Sequence, residues 1–340
     1  MCVVLSRGFK LKFYIVNYTD YATGGAELLQ QYCSALRSYG FDASMLLNSQ
    51  KEIALCEGAY SQYHNPYCFE CPDNEDSILV TYEAFVHLLR KYKKARKAIW
   101  WLSASNYYGY KYAVAPSFFS MMKDLIHDPM HFAYHFHNQV TGQWRHAENF
   151  VQSEYAREFV QDKLHVPEGN IHFLSDYINL EYLRDTEEVL RREDVVLYNP
   201  RKGYETTKKL IERYPDIHWV ALDGFSRDEM VERMRSAKVY IDFGSHPGKD
   251  RIPREAAMCG CCVITNREGS AGNDIDVPIP SDFKFSSPYQ LELIYESIML
   301  CINDFEEQKY RFDRYRSWIA DEKRRFDSEV LKSAQILTAN

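Results

Sequence analysis

Residues Val239 to Thr265, reading VYIDFGSHPGKDRIPREAAMCGCCVIT, decide the fold. Their first apolar segment, Val239 to Phe243, predicts a strand that leads into a polar loop from Gly244 to Ile252. A helix is predicted to open at Pro253 and to close at Gly260, and a second apolar strand follows. Strand, helix and strand in this order predict a βαβ unit, in which the loop after the first strand is the natural place for a ligand.

This loop and the start of the helix carry the charges expected of an anion site. Lys249 and Arg251 stand beside a helix N-terminus, where free N–H groups and the helix dipole both favour an anion. Gly248 precedes them, and Asp250 between them is interpreted as a residue that orients the two cations. Glu255 has the chemistry to accept hydrogen bonds from a ribose diol, and an acid that complements the dipole is the alternative. The predicted ligand is a phosphate or diphosphate.

The composition is typical of a soluble globular protein. The chain has 340 residues, of which 46% are hydrophobic and 26% charged, and this length suits two domains with separate cores. A net charge of −7 argues against general nucleic-acid binding, because no basic excess is present to displace counterions. The basic runs at residues 90–97 and 323–325 are interpreted as solvated helix faces, with peripheral contact to a membrane surface as the alternative.

The nine cysteines follow no spacing typical of a disulfide framework. Cys68 and Cys71 form one CxxC without a second pair, so no metal site is expected, and buried thiols in a reducing compartment explain the count better. We expect neither a signal peptide nor a membrane span. The expected location is the cytoplasm, with a position at the inner membrane surface left open. The oligomeric state is not indicated.

Strands and helices alternate in two blocks. The first block has predicted strands at residues 12–16, 43–47, 78–81, 98–102, 150–152 and 171–174, and residues 51–76 are interpreted as irregular. The second block has predicted strands at 195–198 and 218–222, followed by the βαβ unit. This alternation predicts an α/β protein with two doubly wound, parallel-sheet (Rossmann-like) domains that face a cleft, where a ligand should lie.

A second candidate loop follows the first strand of the first block. The paired glycines Gly24 and Gly25 would let the backbone approach a ligand closely, and the helix that they open offers unpaired N–H groups. Glu27 stands in the first turn of that helix. The alternative is a tight turn with Glu27 as an ordinary first-turn acid.

A third candidate loop, at residues 198–203, opens the second block. Asn199 and the rigid Pro200 precede Arg201 and Lys202, which would stand where an anion is held beside the next helix. A surface loop that is basic by chance is the alternative. The strand-to-helix context favours a function for this loop.

The motifs together resemble a glycosyltransferase of the GT-B fold, close to the retaining, nucleotide-sugar-dependent group 1 (family 4-like) enzymes that build surface polysaccharides. GGAE at 24–27 and YGFDASMLL at 39–47 resemble the N-terminal signature of that group, and residues 150–183 resemble the segment that closes its first domain. KGYETTKKLI at 202–211, VYIDFGSHPG and REAAMCGCCVIT resemble its donor domain. The helix of Trp318 resembles the C-terminal helix that crosses back. The resemblance leaves out residues 51–76 and 106–144.

The chain departs from that group at two positions. The first glutamate of the group's acidic pair, eight positions before Glu255, is Pro247 here, and the usual arginine before the Lys-Gly pair is Leu197. Arg201 and Arg251 are candidates to replace the missing cation, whereas no residue replaces the missing acid. The donor sugar and the stereochemical outcome therefore stay open.

The resemblance implies a transfer of a sugar from a nucleotide-sugar to a glycan or lipid-linked acceptor, without a metal or another cofactor. It implies an acceptor-side domain at residues 1–185, a donor domain at 186–305 and C-terminal helices at 306–340 that cross back to the first domain. A nucleotide-sugar epimerase on the same fold and a non-catalytic nucleotide-sugar-binding subunit are the alternatives.

The expected catalytic residues are Glu27, Lys249 and Arg251, with the two cations stabilising the departing diphosphate. A base for the acceptor hydroxyl stays open among Glu27, Asp20, His135 and His137. The residues expected to bind the donor are Gly24, Gly25, Asn199, Arg201, Lys202, Gly248, Lys249, Asp250, Arg251 and Glu255.

Overall fold

The computed structural model describes residues 11–19, 21–108, 117–130, 132–133, 142–184, 191–286 and 289–339. The chain forms two compact units. Unit 1 comprises Met1–Gln152, Ala156–Ser175 and Phe326–Asn340, and unit 2 comprises Ser153–Tyr155 and Asp176–Arg325. The chain therefore enters the main body of unit 2 at Asp176 and leaves it after Arg325.

Unit 1 is built on a parallel sheet in the order β3-β2-β1-β4-β5-β6-β7. The strand interiors are buried, as expected of a parallel sheet covered on both faces by helices. Six of the seven strands were expected from their apolar runs, and the structure confirms each of these within two residues. The strands are β1 (Lys12–Val16), β2 (Asp42–Leu46), β3 (Tyr67–Cys68), β4 (Ser77–Tyr82), β5 (Arg96–Trp101), β6 (Glu148–Val151) and β7 (Ile171–Phe173).

The helices of this part of the chain include one long amphipathic helix, Gly24–Ser38, which begins after the N-cap Thr23. Its buried Tyr32 forms a 2.9 Å hydrogen bond with Ser333 of the C-terminal helix. Further α-helices are Gln50–Glu57, Phe118–His127, Glu154–Glu158 and Glu322–Thr338, the last of which begins in unit 2. Short 3-10 and π segments are Ser61–Tyr63, Glu83–Lys91, Ala104–Tyr108, Gln143–His146, Phe159–Lys163 and Glu168–Asn170.

The interpretation of residues 51–76 as irregular is wrong. A helix, Gln50–Glu57, begins there with a capping box in which Ser49 and Glu52 bond each other's backbone N–H groups. The edge strand β3 follows and pairs with β2. The spacing of Ser49 and Glu52 was the available signal for a helix start. The strand is only two residues long, so it has no periodicity to detect.

Unit 2 is built on a second parallel sheet, in the order β12-β11-β10-β8-β9. The predicted βαβ unit is confirmed, since β10 and β11 pair in parallel and a helix connects them along the chain. This helix starts at Arg251 rather than at the predicted Pro253. The strands are β8 (Glu193–Tyr198), β9 (His218–Ala221), β10 (Ala237–Asp242), β11 (Cys262–Asn266) and β12 (Lys284–Phe285). The helical segments are Leu180–Leu183, Tyr204–Arg213, Arg227–Ser236, Arg251–Met258, Gly269–Gly272, Ser281–Phe283, Leu291–Asn303, Phe305–Gln308, Lys309–Phe312 and Asp313–Ala320.

The core of unit 2 is centred on β8, β10 and β11. Val196, Tyr240, Ile241, Val263 and Ile264 are each 0% exposed, which fits strands buried on both faces. None of the helices in the described ranges is both long and apolar enough to cross a membrane.

Glu83 shows how the carboxyl edge of the unit 1 sheet is held. It follows β4, is buried, and accepts a 2.9 Å hydrogen bond from the backbone N–H of Leu102, just after β5. Burial raises the pKa of Glu83 to about 7, although N–H donors from the backbone oppose this shift. The carboxyl group therefore ties the ends of two neighbouring strands together.

We predict that Glu83 makes the stability of the protein depend on pH. The folded state keeps a proton on Glu83 up to a pH of about 7, whereas the unfolded chain loses it near 4.5. The free energy of unfolding should therefore fall as the pH rises through this interval, by on the order of 3 kcal/mol. Urea unfolding at pH 5 and pH 7.5 should show a smaller difference for Glu83→Gln than for the unchanged protein. The exposed Glu75→Gln is the control, and the same pH dependence in all three proteins would contradict the assignment.

Candidate functional site

The loops after β8 and β10 lie at the point where the strand order of unit 2 reverses direction. In parallel sheets of this kind, ligands bind outside the carboxyl ends of the strands at such a point. Gly203 of the first loop has φ +62°, and a Cβ there would lie 2.2 Å from the carbonyl carbon of Phe243 in the second loop. The two loops therefore pack backbone against backbone, and only glycine fits at their contact.

Lys202 and Asp250 join the same two loops through their side chains. The Lys202 Nζ lies 2.7 Å from Asp250 Oδ1, and the Lys202 side chain is 41% exposed. Asp250 is also 3.0 Å from His246 Nδ1. Burial disfavours the charged form of Asp250, but the neighbouring His246 ring and the charge of Lys202 outweigh it and lower the pKa of Asp250 to about 2. Asp250 is thus a charged anchor for an exposed lysine.

A buried histidine extends this chain of contacts to the strand. His246 has φ +43°, and its Nε2 lies 3.8 Å from Oδ1 of Asp242 at the end of β10. Burial lowers the pKa of His246, but the carboxylates of Asp250 and Asp242 raise it by more than burial lowers it. The net shift of the His246 pKa is therefore upward. Asp242 itself accepts hydrogen bonds from the Tyr240 hydroxyl and the Gly244 N–H, while burial raises its pKa. Lys202 is therefore positioned by groups inside the protein.

Arg201 stands beside Lys202 with its side chain 78% exposed and paired with Asp223 at 2.6 Å. Its backbone N–H donates to Asn199 Oδ1 at 2.9 Å, so the buried Asn199 shapes the turn. Exposed ion pairs of this kind contribute about 0–1 kcal/mol. An anion can therefore compete with Asp223 for the Arg201 guanidinium at little cost.

The segment after β11 braces the β10 loop from a third side. The backbone N–H of Ser270 donates to the His246 carbonyl at 2.9 Å, and its hydroxyl donates to the Gly248 carbonyl at 2.7 Å. Asn266 donates to the Gly244 carbonyl at 2.7 Å. The Gly248 carbonyl group therefore accepts a hydrogen bond that holds the β10 loop in place.

Lys249, predicted to contact phosphate, is instead buried among charged groups. Its Nζ lies 3.2 Å from Asp176 Oδ1 and 3.3 Å from Glu322 Oε1, and its side chain is 3% exposed. Its charge is thus shared with two buried carboxylates. This placement does not support the predicted phosphate contact.

Arg254 completes this group, which we call the buried quartet: Asp176, Lys249, Arg254 and Glu322. The Arg254 guanidinium binds both oxygens of Asp176, at 3.1 and 2.5 Å, and Glu322 Oε2 at 2.7 Å. Burial opposes the charged form of Asp176, but Arg254 and Lys249 prevail and lower its pKa. The pKa of Arg254 is raised by Asp176 and Glu322 despite its burial. Two cations and two anions thus neutralise one another inside unit 2.

Sequence reasoning missed the quartet because its members are far apart in the chain. Asp176 is where the chain enters the main body of unit 2, and Glu322 begins the last helix shortly before unit 2 ends at Arg325. The available signal was Arg254, which lies among the buried positions of helix Arg251–Met258. A buried charge of this kind requires a partner of opposite charge. The sequence does not identify that partner.

The remaining predicted residues of unit 2 lie on the helix after the β10 loop. Arg251 is half-buried at the first position of helix Arg251–Met258, and Glu255 is 8% exposed in the same helix. Their predicted contacts with diphosphate and ribose stay predictions.

Gly24, Gly25 and Glu27 lie in unit 1. Gly24 and Gly25 are the first two residues of helix Gly24–Ser38 and do not have left-handed backbone angles. Thr23 caps the helix by accepting from Ala26 N–H at 3.2 Å. Glu27 is 7% exposed, and it accepts a 2.7 Å hydrogen bond from the Tyr63 hydroxyl. The other candidate bases, Asp20, His135 and His137, lie outside the described residues.

No protein-family model matches the chain, and no curated protein matches its sequence. Solved structures do match it. A glycosyltransferase from Rickettsia africae is 12% identical over 96% of this chain and 98% of that chain, with a TM-score of 0.61. Alr3699/HepE of Anabaena is 12% identical over 97% and 100%, with a TM-score of 0.63. Sucrose-phosphate synthase from Thermosynechococcus elongatus is 13% identical over 96% and 98%, with a TM-score of 0.63.

The chain has the GT-B fold. At 12–13% identity the fold is what these proteins share with it. The GT-B architecture predicted from the sequence motifs is confirmed, with two all-parallel sheets of seven and five strands.

We predict that Gly203→Ala destabilises the protein more than Gly224→Ala. Both glycines have positive φ angles, +62° and +77°, so both variants incur backbone strain. Only the Cβ at position 203 would collide with neighbouring backbone, since nothing lies within 4 Å of a Cβ at position 224. Urea unfolding should show an additional loss of about 1–3 kcal/mol for Gly203→Ala. Equal losses would show that the two loops do not touch as described.

We predict that Glu322→Gln lowers the free energy of unfolding by about 3–5 kcal/mol, because it leaves buried cations without full compensation. Arg324→Gln is the matched control on the same helix. It breaks a 2.6 Å pair with Asp321 in which the arginine side chain is 80% exposed, so it should cost at most about 1 kcal/mol. Chemical denaturation of both variants measures the difference. Similar small losses would indicate that the quartet is not formed.

Proposed function

We propose that this protein is a glycosyltransferase that moves a sugar from a nucleotide-sugar to a glycan or lipid-linked acceptor. The proposal depends mainly on one observation: the exposed side chains of Lys202 and Arg201 stand at the switch point of the unit 2 sheet, and Lys202 is held there by Asp250, which contacts the buried His246. The GT-B fold supports it, because structures of the similar HepE are in complex with UDP-glucose and with UDP and glucose. A nucleoside diphosphate is the ligand whose chemistry fits these cations.

The difficult step of such a transfer is departure of the nucleoside diphosphate, as negative charge grows on the leaving oxygen. Cations that are already in place stabilise this charge without reorganising during the reaction. Lys202 and Arg201 are assigned this part, and the N-terminus of helix Arg251–Met258 adds its dipole. Arg251 is proposed to assist them. Side chains and helix dipole together supply the positive charge, so the proposed reaction is metal-independent.

Lys202 has enough donors to hold the ligand and its anchor at once. An ammonium group has three N–H donors, and Asp250 accepts one of them in the structure. A phosphate oxygen can take another without displacing Asp250. Asp250 therefore fixes where the Lys202 charge stands and is not proposed to touch the donor itself.

Lys249 is reassigned from a phosphate ligand to a positioning residue. Its Nζ is held by Asp176 and Glu322, so it acts on the site through the loop that it anchors. Glu27 is likewise proposed to position the Ser61–Tyr63 turn through its bond to Tyr63. Glu255 stays the proposed ribose ligand. The backbone N–H groups of Gly24 and Gly25 stay proposed donor contacts.

The acceptor side is proposed to be in unit 1, and peripheral contact with a membrane surface stays part of the proposal. The helix Phe118–His127 and the residues after it present exposed apolar side chains: Phe119 is 80%, Ile126 73% and Met130 83% exposed. Three large apolar side chains exposed within residues 119–130 support an interaction with an apolar partner, such as the lipid of a lipid-linked acceptor.

We predict that Lys202→Ala weakens binding of UDP-glucose about tenfold or more, because a hydrogen bond to a charged group contributes about 1.5–3 kcal/mol. Isothermal titration of UDP-glucose and of UDP measures the loss. The control is Lys208→Ala, which removes an exposed lysine 3.8 Å from Glu212 on the helix that follows the same loop. Unchanged affinity in Lys202→Ala would contradict the proposed site.

Product analysis separates transfer from its two alternatives. Slow release of UDP and free glucose from UDP-glucose, without any acceptor, is expected of a transferase whose acceptor is replaced by water. Conversion to an epimeric sugar would indicate the epimerase. Tight binding with neither product, over a range of nucleotide-sugars, would indicate a non-catalytic binding subunit.

A further inference from the structure

A cavity of about 280 Å³ lies in unit 1 at the amino ends of β5, β6 and β7, the last three strands on one side of the sheet. Arg96 and Lys97 begin β5, Glu148 begins β6, and Asn170 directly precedes β7. Arg145 and His146, from the segment before β6, also line the cavity. Three cationic side chains from two segments of the chain therefore meet at one concave site.

The acidic and carbonyl groups at this cavity already have partners. Glu148 lies 2.9 Å from His172 Nε2, and the Leu337 carbonyl accepts a 2.8 Å hydrogen bond from Arg96. Within the described parts of the chain, neither Lys97 nor Arg145 lies within ion-pair distance of a carboxylate. Arg96, Lys97 and Arg145 thus give the cavity three cationic side chains against the one carboxylate of Glu148.

The surroundings of the cavity increase this surplus. Six of the eight residues from Arg90 to Lys97 are lysine or arginine, although the whole chain has a net charge of −7. Burial lowers the pKa of Lys97 and the charge of Lys93 lowers it further, while the charge of Asp73 opposes this shift only in part. Bringing these cations together is unfavourable unless an anion balances them. Of this run, Arg96 and Lys97 line the cavity, and this position distinguishes these two residues from a solvated basic face.

We propose that this cavity binds a ligand that carries a phosphate or diphosphate group. The planar Arg145 guanidinium can hold two phosphate oxygens at once, and Lys97 adds a compact charge beside it. A volume near 280 Å³ is at the low end for small-molecule sites, so it suits the phosphorylated end of a ligand. A free phosphorylated molecule and a phospholipid headgroup share this chemistry.

The site is distinct from the proposed donor site. It lies at the amino edge of the unit 1 sheet, whereas Gly24 and Gly25 follow the carboxyl end of β1. A strand of five or six residues is about 16–20 Å long, which separates the two edges. The donor loops with Lys202 belong to unit 2. This proposal therefore stands or falls independently of the glycosyltransferase assignment.

Lysine acetylation followed by mass spectrometry tests the proposal at a single residue. Inorganic pyrophosphate should protect Lys97 from acetylation in a saturable way, and Arg145→Gln should raise the concentration that gives half protection about tenfold. Lys332, exposed in the same unit, reports non-specific effects, and Lys163→Gln is the charge-matched control variant. Labelling of Lys202 in the same sample reports the donor site separately.

Vesicles distinguish the two sources of phosphate. Protection of Lys97 by vesicles that contain phosphatidic acid, and not by phosphatidylcholine vesicles, would assign a lipid headgroup. Protection by pyrophosphate alone would assign a free ligand. The proposal would be overturned if neither pyrophosphate nor the phosphatidic acid vesicles protected Lys97. Protection of Lys97 that is unchanged in Arg145→Gln would also overturn it.

Discussion

The buried quartet of Asp176, Lys249, Arg254 and Glu322 is the interaction on which the candidate site depends. It joins the point where the chain enters the main body of unit 2, the loop after β10, and the start of the last helix. Four charged groups that are shielded from solvent are stabilised only by pairing with one another. The three segments that carry them must therefore keep one position relative to each other. An apolar cluster of the same size would tolerate sliding more readily.

A second, outer layer of contacts links this interior to solvent. Asp242, His246 and Asp250 form a line of polar groups from the end of β10 to the exposed Lys202. Gly203 allows the β8 loop to lie directly against the β10 loop. In the proposed reaction, a cation placed in this way would stabilise the leaving diphosphate without having to move. Preorganisation of this kind is the main source of electrostatic stabilisation in enzymes.

The sequence was sufficient for the architecture but not for the distribution of charges within the site. Apolar runs marked every strand except the two-residue strands β3 and β12, and turn residues marked the loops that meet at the unit 2 switch point. Lys249 and Lys202 look alike in the sequence, because each is a lysine in a glycine-containing loop at a strand end. Their difference arises from Asp176 and Glu322, which lie 73 residues away on either side of Lys249. Such partners are set by tertiary packing, which single-sequence periodicity does not report.

We propose that the exposed Lys202 of the β8 loop holds the diphosphate, whereas the buried Lys249 of the β10 loop holds segments of unit 2 together. A crystal structure of the protein with UDP distinguishes the two lysines. Phosphate oxygens are expected about 3 Å from Lys202 Nζ, with Lys249 Nζ still bound to Asp176 and Glu322. A diphosphate in contact with Lys249, or bound away from the two loops, would contradict it.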